Sequence, residues 1–193
     1  MSQQVLQAIV QRFGASVIGQ HAQAGDETVI LERSVIQDVG RFLKTDPAMA
    51  FNMPIDCTCV DYLGYPGRGP HQQGDPARFE VVYHVYSTTL KQRIRLKVPL
   101  HEHDLEMPSL QPVWKGMDWF EREVWDMFGV RFEGHPDLRR LLMYEEFVGH
   151  PLRKDYPLRG YQPLIPIAKL DPVNEDPKLR DLDLNPPATD FSS

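Results

Sequence analysis

The chain has 193 residues, 41% of them hydrophobic and 25% charged, which is an ordinary globular composition. Its formal net charge of -6 excludes a general nucleic-acid binder, because such a protein needs a basic surface. No apolar run approaches the roughly 20 residues that span a bilayer. From residues 1–12 we expect neither a secretory signal nor a mitochondrial presequence, and two cysteines one residue apart indicate a reducing cytosol.

The first third of the chain predicts two helices and two short strands. Apolar residues at helical spacing predict a helix over 2–13, and strands are predicted at 17–18 and 28–31. Ser34 and Gln37 then have the spacing of a capping box, in which each side chain binds the other's free backbone N–H. We therefore expect a second helix that starts at Ser34.

Apolar alternation predicts the next strand, at residues 53–62. Met53, Ile55, Cys57 and Cys59 recur with period two, so all four are expected on one buried face of a sheet. The cysteine spacing does not suit a zinc knuckle or a redox pair, and two buried thiols are expected instead.

A hairpin is predicted from residues 79–87 and 91–98, after a Gly- and Pro-rich loop at 64–76. Its second strand carries a basic stripe on the face opposite its apolar residues. Such a stripe is usually solvated, and the alternative is that it docks an acidic partner surface. The stripe consists of Lys91, Arg93, Arg95 and Lys97.

The order of these elements predicts an α+β fold, a two-layer domain with two helices on a five-stranded sheet, over residues 1–100. A motif-rich helix and loop region follows at 101–160. Residues 161–193 contain six prolines and no apolar period. They are expected to form an extended C-terminal tail that becomes ordered only against a neighbouring chain.

The densest run of charged, aromatic, Gly and Pro residues lies at 119–160, here called the signature segment. It is expected to open with a helix that Asp118 caps and that Gly129 ends in the left-handed conformation. The apolar face of this helix is expected to consist of Trp119, Phe120, Val124, Met127 and Phe128.

Three carboxylates of this helix, Glu121, Glu123 and Asp126, permit two interpretations. One is a paired acid/base site, which needs one pKa raised by a dry pocket, and Glu123 and Asp126 have the spacing to share a side. The other, which the balance of eight basic and nine acidic residues between 115 and 160 favours, is an ion-pair network. Its expected basic members are Arg122, Arg131, Arg139 and Arg140.

Two Gly-His-Pro turns, at 134–136 and 149–151, raise the possibility of a metal site through His135 and His150. No cysteine or third histidine lies near them in sequence, so tight turns are the favoured interpretation. Pro136 suits the first turn of a short helix, whose expected core contacts are Leu138, Leu141 and Leu142. No phosphate-binding glycine loop or nucleophile elbow is present.

The segments E-R-E-V-W-D-M-F-G (121–129), G-H-P-D-L-R-R (134–140) and G-H-P-L-R-K-D-Y-P-L (149–158) occur together. In combination they resemble the signature of the C subunit of NADH-quinone oxidoreductase, the peripheral-arm subunit of bacterial respiratory complex I. The resemblance covers most of residues 1–160, although residues 143–147 depart from the usual family sequence. It implies that the five-stranded sheet is mixed.

The resemblance implies a non-redox assembly or scaffold subunit of a proton-translocating NADH:quinone oxidoreductase. Such a subunit packs on the D and B subunits and positions the cluster-bearing and quinone-site chains. FMN and iron–sulfur clusters then lie in partner subunits, NADH and quinone are substrates of the complex, and no catalytic, cofactor or metal site is expected here. The chain would sit peripherally on the cytoplasmic side of a bacterial plasma membrane, attached only through the complex.

The resemblance also assigns the signature residues to the partner interface and its internal braces. Two alternatives stay open: the equivalent subunit of a related membrane-bound hydrogenase or of a ferredoxin- or other donor-linked quinone reductase, and a stand-alone acid/base enzyme. The expected interface residues are Glu121, Arg122, Glu123, Asp126, Gly129, His135, Pro136, Asp137, Arg139, Arg140, Gly149, His150, Pro151, Arg153, Lys154 and Asp155.

Overall fold

The computed structural model describes residues 2–23, 25–65, 77–159 and 162–163. Within these ranges the chain forms three α helices and seven strands, with single 3₁₀ turns before β1 and α2. The elements are α1 (Ser2–Phe13), β1 (Val17–Gln23), β2 (Asp26–Leu31), α2 (Ile36–Thr45), β3 (Met53–Asp61), β4 (Phe79–Ser87), β5 (Gln92–Leu100), β6 (Glu106–Pro108), α3 (Met117–Phe128) and β7 (Arg131–Glu133).

A mixed five-stranded sheet in the order β1-β2-β5-β4-β3 forms the centre of the fold. β2 and β5 run parallel, and the other neighbours run antiparallel. The α+β prediction is therefore confirmed. Most of the predicted loop at 64–76 and all but two residues of the predicted tail at 161–193 lie outside the described residues, and the division at residue 100 stays a prediction.

One apolar core joins the helices to the sheet. Ile9 of α1, Val39 of α2 and Tyr83 of β4 are buried in it together with Trp114. The Trp114 indole N–H donates to the carbonyl oxygen of Phe51 at 2.9 Å, which satisfies the one polar atom of this buried ring. The contact fixes the chain that leads into α3 against the segment between α2 and β3.

The β3 strand corrects one prediction, because Met53, Ile55, Cys57 and Cys59 do not share a face. Cys57 and Cys59 are buried as expected, whereas Met53 and Ile55 are 46% and 44% exposed. The register between β3 and β4 shifts between Pro54 and Asp56. A bulge of one extra residue reverses the alternation of side chains, and apolar spacing alone does not reveal it.

The start of α2 corrects a second prediction. Ser34 lies in the 3₁₀ turn, and α2 begins at Ile36 without a side-chain cap. The Gln37 side chain donates instead to the carbonyl oxygen of Ser109 at 2.8 Å. A tertiary hydrogen bond has replaced the predicted local one.

The region 101–160 differs in several ways from its predicted structure. α3 follows an N-cap at Gly116 rather than Asp118, although it ends at Gly129 with the expected left-handed φ of 81°. No helix forms over residues 136–142, and Leu142 is 57% exposed. β6 and β7 pair in parallel as a separate two-stranded sheet. α3 itself packs on β3.

The inward face of α3 also differs from its prediction. Trp119 is 59% exposed, and polar residues take buried positions instead. The buried residues of the helix are Met117, Glu121, Arg122, Val124, Asp126, Met127 and Phe128.

We expect Gly40→Leu to lower the free energy of unfolding by about 1–3 kcal/mol, the usual cost of overpacking a core. A Cβ atom at Gly40 would lie 3.1 Å from Leu110 and 3.2 Å from the Trp114 ring. Gly14→Leu is the matched control, since nothing lies within 4 Å of a Cβ there. Urea denaturation followed by circular dichroism measures both, and equal stabilities would contradict the close packing of α2 on Trp114.

Candidate functional site

Helix α3 carries three buried polar side chains into the interior. Glu121 and Asp126 are fully buried, and Arg122 is nearly so. Burying such groups is unfavourable unless each one is hydrogen-bonded. The hydrogen-bond partners of these three side chains therefore indicate whether they serve the fold or a reaction.

Asp126 organises the chain that follows β7. Its Oδ2 atom accepts hydrogen bonds from three successive backbone N–H groups, those of Leu141, Leu142 and Met143, at 3.0, 2.8 and 2.9 Å. Its Oδ1 atom accepts from Arg140 Nη1 at 2.6 Å. One carboxylate thus replaces the backbone pairing that residues 141–143 lack.

Arg140 extends this arrangement to the second Gly-His-Pro turn. Its Nη2 atom donates to the carbonyl oxygens of Phe147 at 2.6 Å and Gly149 at 3.2 Å. The guanidinium also lies over the Trp125 and Phe147 rings. Arg140 and Asp126 therefore hold residues 140–149 as one folded loop on α3.

The same contacts set the protonation state of Asp126. Burial alone raises the pKa of this carboxyl, but the Met143 N–H and the Arg140 guanidinium, with two more backbone donors, lower it below its usual range. Asp126 is consequently ionised, and its oxygens accept hydrogen bonds that hold residues 140–143 in place.

Glu121 has a different environment from Asp126. Ser109 Oγ donates to its Oε2 at 2.5 Å, and the Leu110 N–H donates to its Oε1 at 2.6 Å. Burial raises the pKa of Glu121 to about 7, against the opposing effect of these two donors. Among the described residues no arginine binds this carboxyl, so the predicted ion pair is replaced by a cap on the turn at residues 109–110.

The other two charged residues at the centre of α3, Arg122 and Glu123, have different environments. Arg122 is buried and donates to the carbonyl oxygens of Arg139 and Arg140, both at 3.2 Å, rather than to a carboxylate. Glu123 is exposed. The prediction that Glu123 and Asp126 share a side is therefore wrong, because one points to solvent and the other into the core.

The turn at Gly129 is closed by the second histidine and by Arg153. A Cβ atom at Gly129 would lie 2.5 Å from Arg153 Nη2 and 2.6 Å from His150 Nε2, so any side chain there collides. His150 Nδ1 bonds the Asp126 carbonyl oxygen at 3.0 Å and must carry the proton. Arg153 Nε donates to the Phe128 carbonyl oxygen at 2.6 Å. Both side chains cap the end of α3.

Both ring nitrogens of His135, in the first Gly-His-Pro turn, face polar groups of the chain. Its Nδ1 accepts from the Asp137 N–H at 3.1 Å, so the proton lies on Nε2, which faces an Asp118 carboxylate oxygen at 3.3 Å. Asp137 pairs with Arg139 at 2.9 Å on the surface. Pro136 follows without starting a helix, and Gly134 supplies a φ of 79°.

A second ion-pair group, which the sequence did not indicate, joins the signature segment to the sheet. Arg78 binds Asp61 through two hydrogen bonds of 3.0 and 2.8 Å and reaches Asp155 at 2.8 Å and Glu102 at 2.5 Å. Asp61 also accepts from the Lys154 N–H at 2.8 Å. Burial raises the pKa of Asp61, but these donors outweigh burial and lower it.

The basic stripe of β5 is partly neutralised within the sheet. Lys97 bonds Glu80 at 2.7 Å and Arg95 lies 3.3 Å from Asp26. Lys91 lies in the turn, with a φ of 53°, and Arg93 remains 70% exposed in its side chain. Docking of an acidic partner on this stripe stays a prediction.

The geometry does not bring together an acid/base pair from Glu121, Glu123, Asp126 and His135. The two buried carboxyls bind separate turns, and His135 faces Asp118. Within the described ranges, no group of three or more His, Cys, Asp or Glu side chains has the arrangement to hold a metal ion. In the same ranges, no helix has both the length and the apolar character for a bilayer crossing.

Comparison with known proteins agrees with this architecture. The family model "Respiratory-chain NADH dehydrogenase, 30 Kd subunit" matches residues 29–162. The chain belongs to this family. The C subunit of the NADH-quinone oxidoreductase of Geobacter sulfurreducens is 43% identical over 150 residues, 78% of this chain and 86% of that protein. The C 2 subunit of the same enzyme in Rhizobium etli is 41% identical over 184 residues, 94% and 92% of the two chains.

Solved structures show the same fold. A trypsin-resistant fragment of Nqo5 aligns with a TM-score of 0.57 and 30% identity, over 69% of this chain and 99% of the fragment. A chain of an archaeal membrane-bound sulfane sulfur reductase aligns with a TM-score of 0.60 over 81% and 86% of the two chains. Its identity of 21% shows a shared fold alone.

Glu121→Gln should change how stability depends on pH. The pKa of Glu121 is about 7 in the folded chain and 4.5 without the fold, so its contribution is fully present below pH 4.5. That contribution is lost as the pH rises to about 7, for a total of about 3 kcal/mol in the wild type. We expect Glu121→Gln to remove this loss, as measured by urea unfolding across that interval.

The control for this experiment is Glu123→Gln, an exposed glutamate on the same helix. It should keep the wild-type dependence on pH. Asp61 and Asp126 do not interfere, because carboxyls with a lowered pKa lose their contribution only at more acidic pH. The lowered pKa values of His84 and His150 do act in this interval, but both variants keep these histidines, so the difference from the wild-type profile reports Glu121. An unchanged pH profile in Glu121→Gln would contradict a proton on this buried carboxyl.

Proposed function

We propose that this chain is a non-redox assembly subunit of a proton-translocating NADH:quinone oxidoreductase. Its role is to position the cluster-bearing and quinone-site subunits, and its partners are the D and B subunits. The observation that carries the proposal is the arrangement of α3, where the buried charged groups bind the chain's own backbone. An arrangement of this kind supports a bracing role, because the buried charged groups are already bonded within the chain.

Family membership supports the identity proposed for the complex. The relatives from Geobacter sulfurreducens and Rhizobium etli are named as subunits of NADH-quinone oxidoreductase, and the alignments span most of both chains. We infer the same enzyme here, with FMN and iron–sulfur clusters in partner chains and NADH and quinone as its substrates. The chain would then associate with a bacterial plasma membrane through the complex, on its cytoplasmic side.

The outward side of the signature segment supports docking. Trp119, Leu142, Val148 and Leu152 are each at least half exposed, and Leu158 is fully exposed. A second set of exposed apolar side chains lies at 53–65, on and after β3, against which α3 packs. Large exposed apolar side chains that cluster in neighbouring elements are typical of surfaces that bind other proteins.

In this proposal the signature residues divide into braces and contacts. The braces hold the loops whose exposed residues meet the partner, and they are Asp126, Arg140, His150 and Arg153. The related sulfane sulfur reductase chain shares only the fold, so the alternative donors suggested by the sequence gain no specific support from it. A stand-alone acid/base enzyme is disfavoured by the separation of Glu121 from Asp126.

We expect Asp126→Ala and Arg140→Ala to lower the amount of assembled complex more than the turnover of each assembled complex. Removing one partner of a buried pair typically costs about 3–5 kcal/mol, because the other charge is left without a partner. Immunoblots of gently solubilised membranes give the amount, and NADH:quinone activity per flavin gives the turnover.

Arg41→Ala is the matched control, since its ion pair with Asp38 on α2 is solvent-exposed. Such pairs contribute about 0–1 kcal/mol, so assembly should stay normal. Normal assembly of Asp126→Ala with abolished chemistry would contradict the scaffold role and favour a catalytic one.

Val148→Asp tests the docking surface directly. Val148 is 67% exposed, so the isolated chain should change in stability by no more than about 0.5 kcal/mol. We expect a tagged copy of this variant to lose the flavin- and cluster-bearing chains that the wild type brings down. Leu90→Asp, on the hairpin outside the signature segment, is the control and should retain them. Retention by Val148→Asp would place the partner contact elsewhere.

A further inference from the structure

Ser109 is a buried residue that joins three elements of the fold. Its N–H donates to the carbonyl oxygen of Glu133 in β7 at 2.9 Å, and its carbonyl oxygen accepts from the Gln37 side chain of α2 at 2.8 Å. Its hydroxyl donates to Glu121 of α3 at 2.5 Å. Ser109 and Glu121 both have an exposed fraction of 0%. The hydroxyl bond thus ties α3 to a turn that is already fixed to α2 and β7.

The hydrogen-bond donors around Glu121 suit the ionised form of its carboxyl. Ser109 Oγ already accepts from the Gln111 N–H at 3.0 Å, so its single proton points at Glu121 Oε2. The Leu110 N–H supplies Oε1 at 2.6 Å. A neutral carboxyl brings a proton of its own, and the acceptor in contact with it is Ser109 Oγ. The hydroxyl proton then has to turn away, so the two protonation states of Glu121 need different hydrogen bonds.

The other groups around Glu121 oppose the charge that these donors favour. Burial raises the pKa of Cys57 in β3 and of Tyr83 in β4, so both stay neutral beside the carboxyl, while α2 and β7 bring only an amide and a carbonyl oxygen to the junction. Burial, with a smaller effect from the Asp118 carboxylate of α3, raises the pKa of Glu121 to about 7. In the part of the chain that the structure describes, no cation bonds this carboxyl.

We propose that the contact between Ser109 and Glu121 is a proton-operated latch between α3 and the turn at residues 109–111. The neutral side chain keeps the latch closed, because it is buried without a charge. Ionisation leaves a buried anion with two neutral donors and no cation. An open form, in which water reaches the carboxyl and takes up its proton, then becomes easier to populate. The latch is a property of the single chain and is independent of the proposed function.

Amide hydrogen exchange of the full-length chain, followed by NMR, measures this opening at the Leu110 N–H, which bonds Glu121 directly. The pKa of Glu121 is about 7 in the closed form and 4.5 in water. After correction for the base dependence of exchange itself, the protection of Leu110 should therefore fall about tenfold per pH unit from pH 5 to 7 and then level off. The Leu90 N–H, which donates to the Ser87 hydroxyl, is the control in the same sample and should show no such fall.

Two variants of α3 assign the effect to one carboxyl. Glu121→Gln should abolish the fall in Leu110 protection, whereas Glu123→Gln, at an exposed position of the same helix, should retain it. A fall that persists in Glu121→Gln would overturn the proposal. An equal fall at the amides of β4 in the wild type would also overturn it, because the whole chain would then be unfolding rather than the latch opening.

Ser109→Ala tests the direction of the hydroxyl bond and leaves Glu121 in place, so it decides the question even if Glu121→Gln does not fold. Because Ser109 donates to the ionised carboxyl, its loss should move the midpoint of the Glu121 titration to higher pH, by about one to two pH units. The carbon-13 shift of the labelled glutamate carboxyl measures this midpoint. An unchanged or lower midpoint, or no titration of the wild-type Glu121 carboxyl between pH 5 and 9, would overturn the latch.

Discussion

The structure of the signature segment depends on one carboxylate, Asp126. Residues 140–149 contain no helix or strand, so their backbone groups have few partners of their own. Asp126 satisfies three of the N–H groups and holds Arg140, which in turn satisfies the carbonyls of Phe147 and Gly149. An irregular loop of this length acquires a single conformation because a buried anion supplies the acceptors that regular structure would have supplied.

The sequence predicts the elements whose cause is local. α1 and the β4–β5 hairpin follow directly from apolar spacing, and Gly129 ends α3 with the positive φ that favours glycine. The failures have non-local causes. The bulge at Pro54 and the loss of the Ser34 cap reflect contacts with residues far away in the chain, and β6 and β7 are strands of three residues whose apolar pattern is too short to detect.

The sequence predicted that the charged residues of the candidate site compensate one another, but it did not predict which residues bind each other. Charge balance indicated that the acidic and basic residues of the signature segment compensate one another, and Asp126 with Arg140 does so. Spacing could not show that Glu121 would bind Ser109 without an arginine, or that Arg122 would bind backbone carbonyls. Arg78 was missed entirely, because the residues that it joins, Asp61 and Asp155, are separated by 94 positions and meet only in the folded chain.

These contacts agree with the positioning role proposed above for a segment so rich in charge. A buried ion pair adds little net stability over an apolar pair, but it tolerates few alternative geometries, since each misplacement leaves a charge without a partner. Arg78 fixes the 154–155 turn to the sheet, and Arg140 fixes the preceding loop to α3. Between these two anchors the exposed side chains of Val148 and Leu152 are held at set positions. A surface organised in this way suits the proposed role, in which it defines the place of a neighbouring chain.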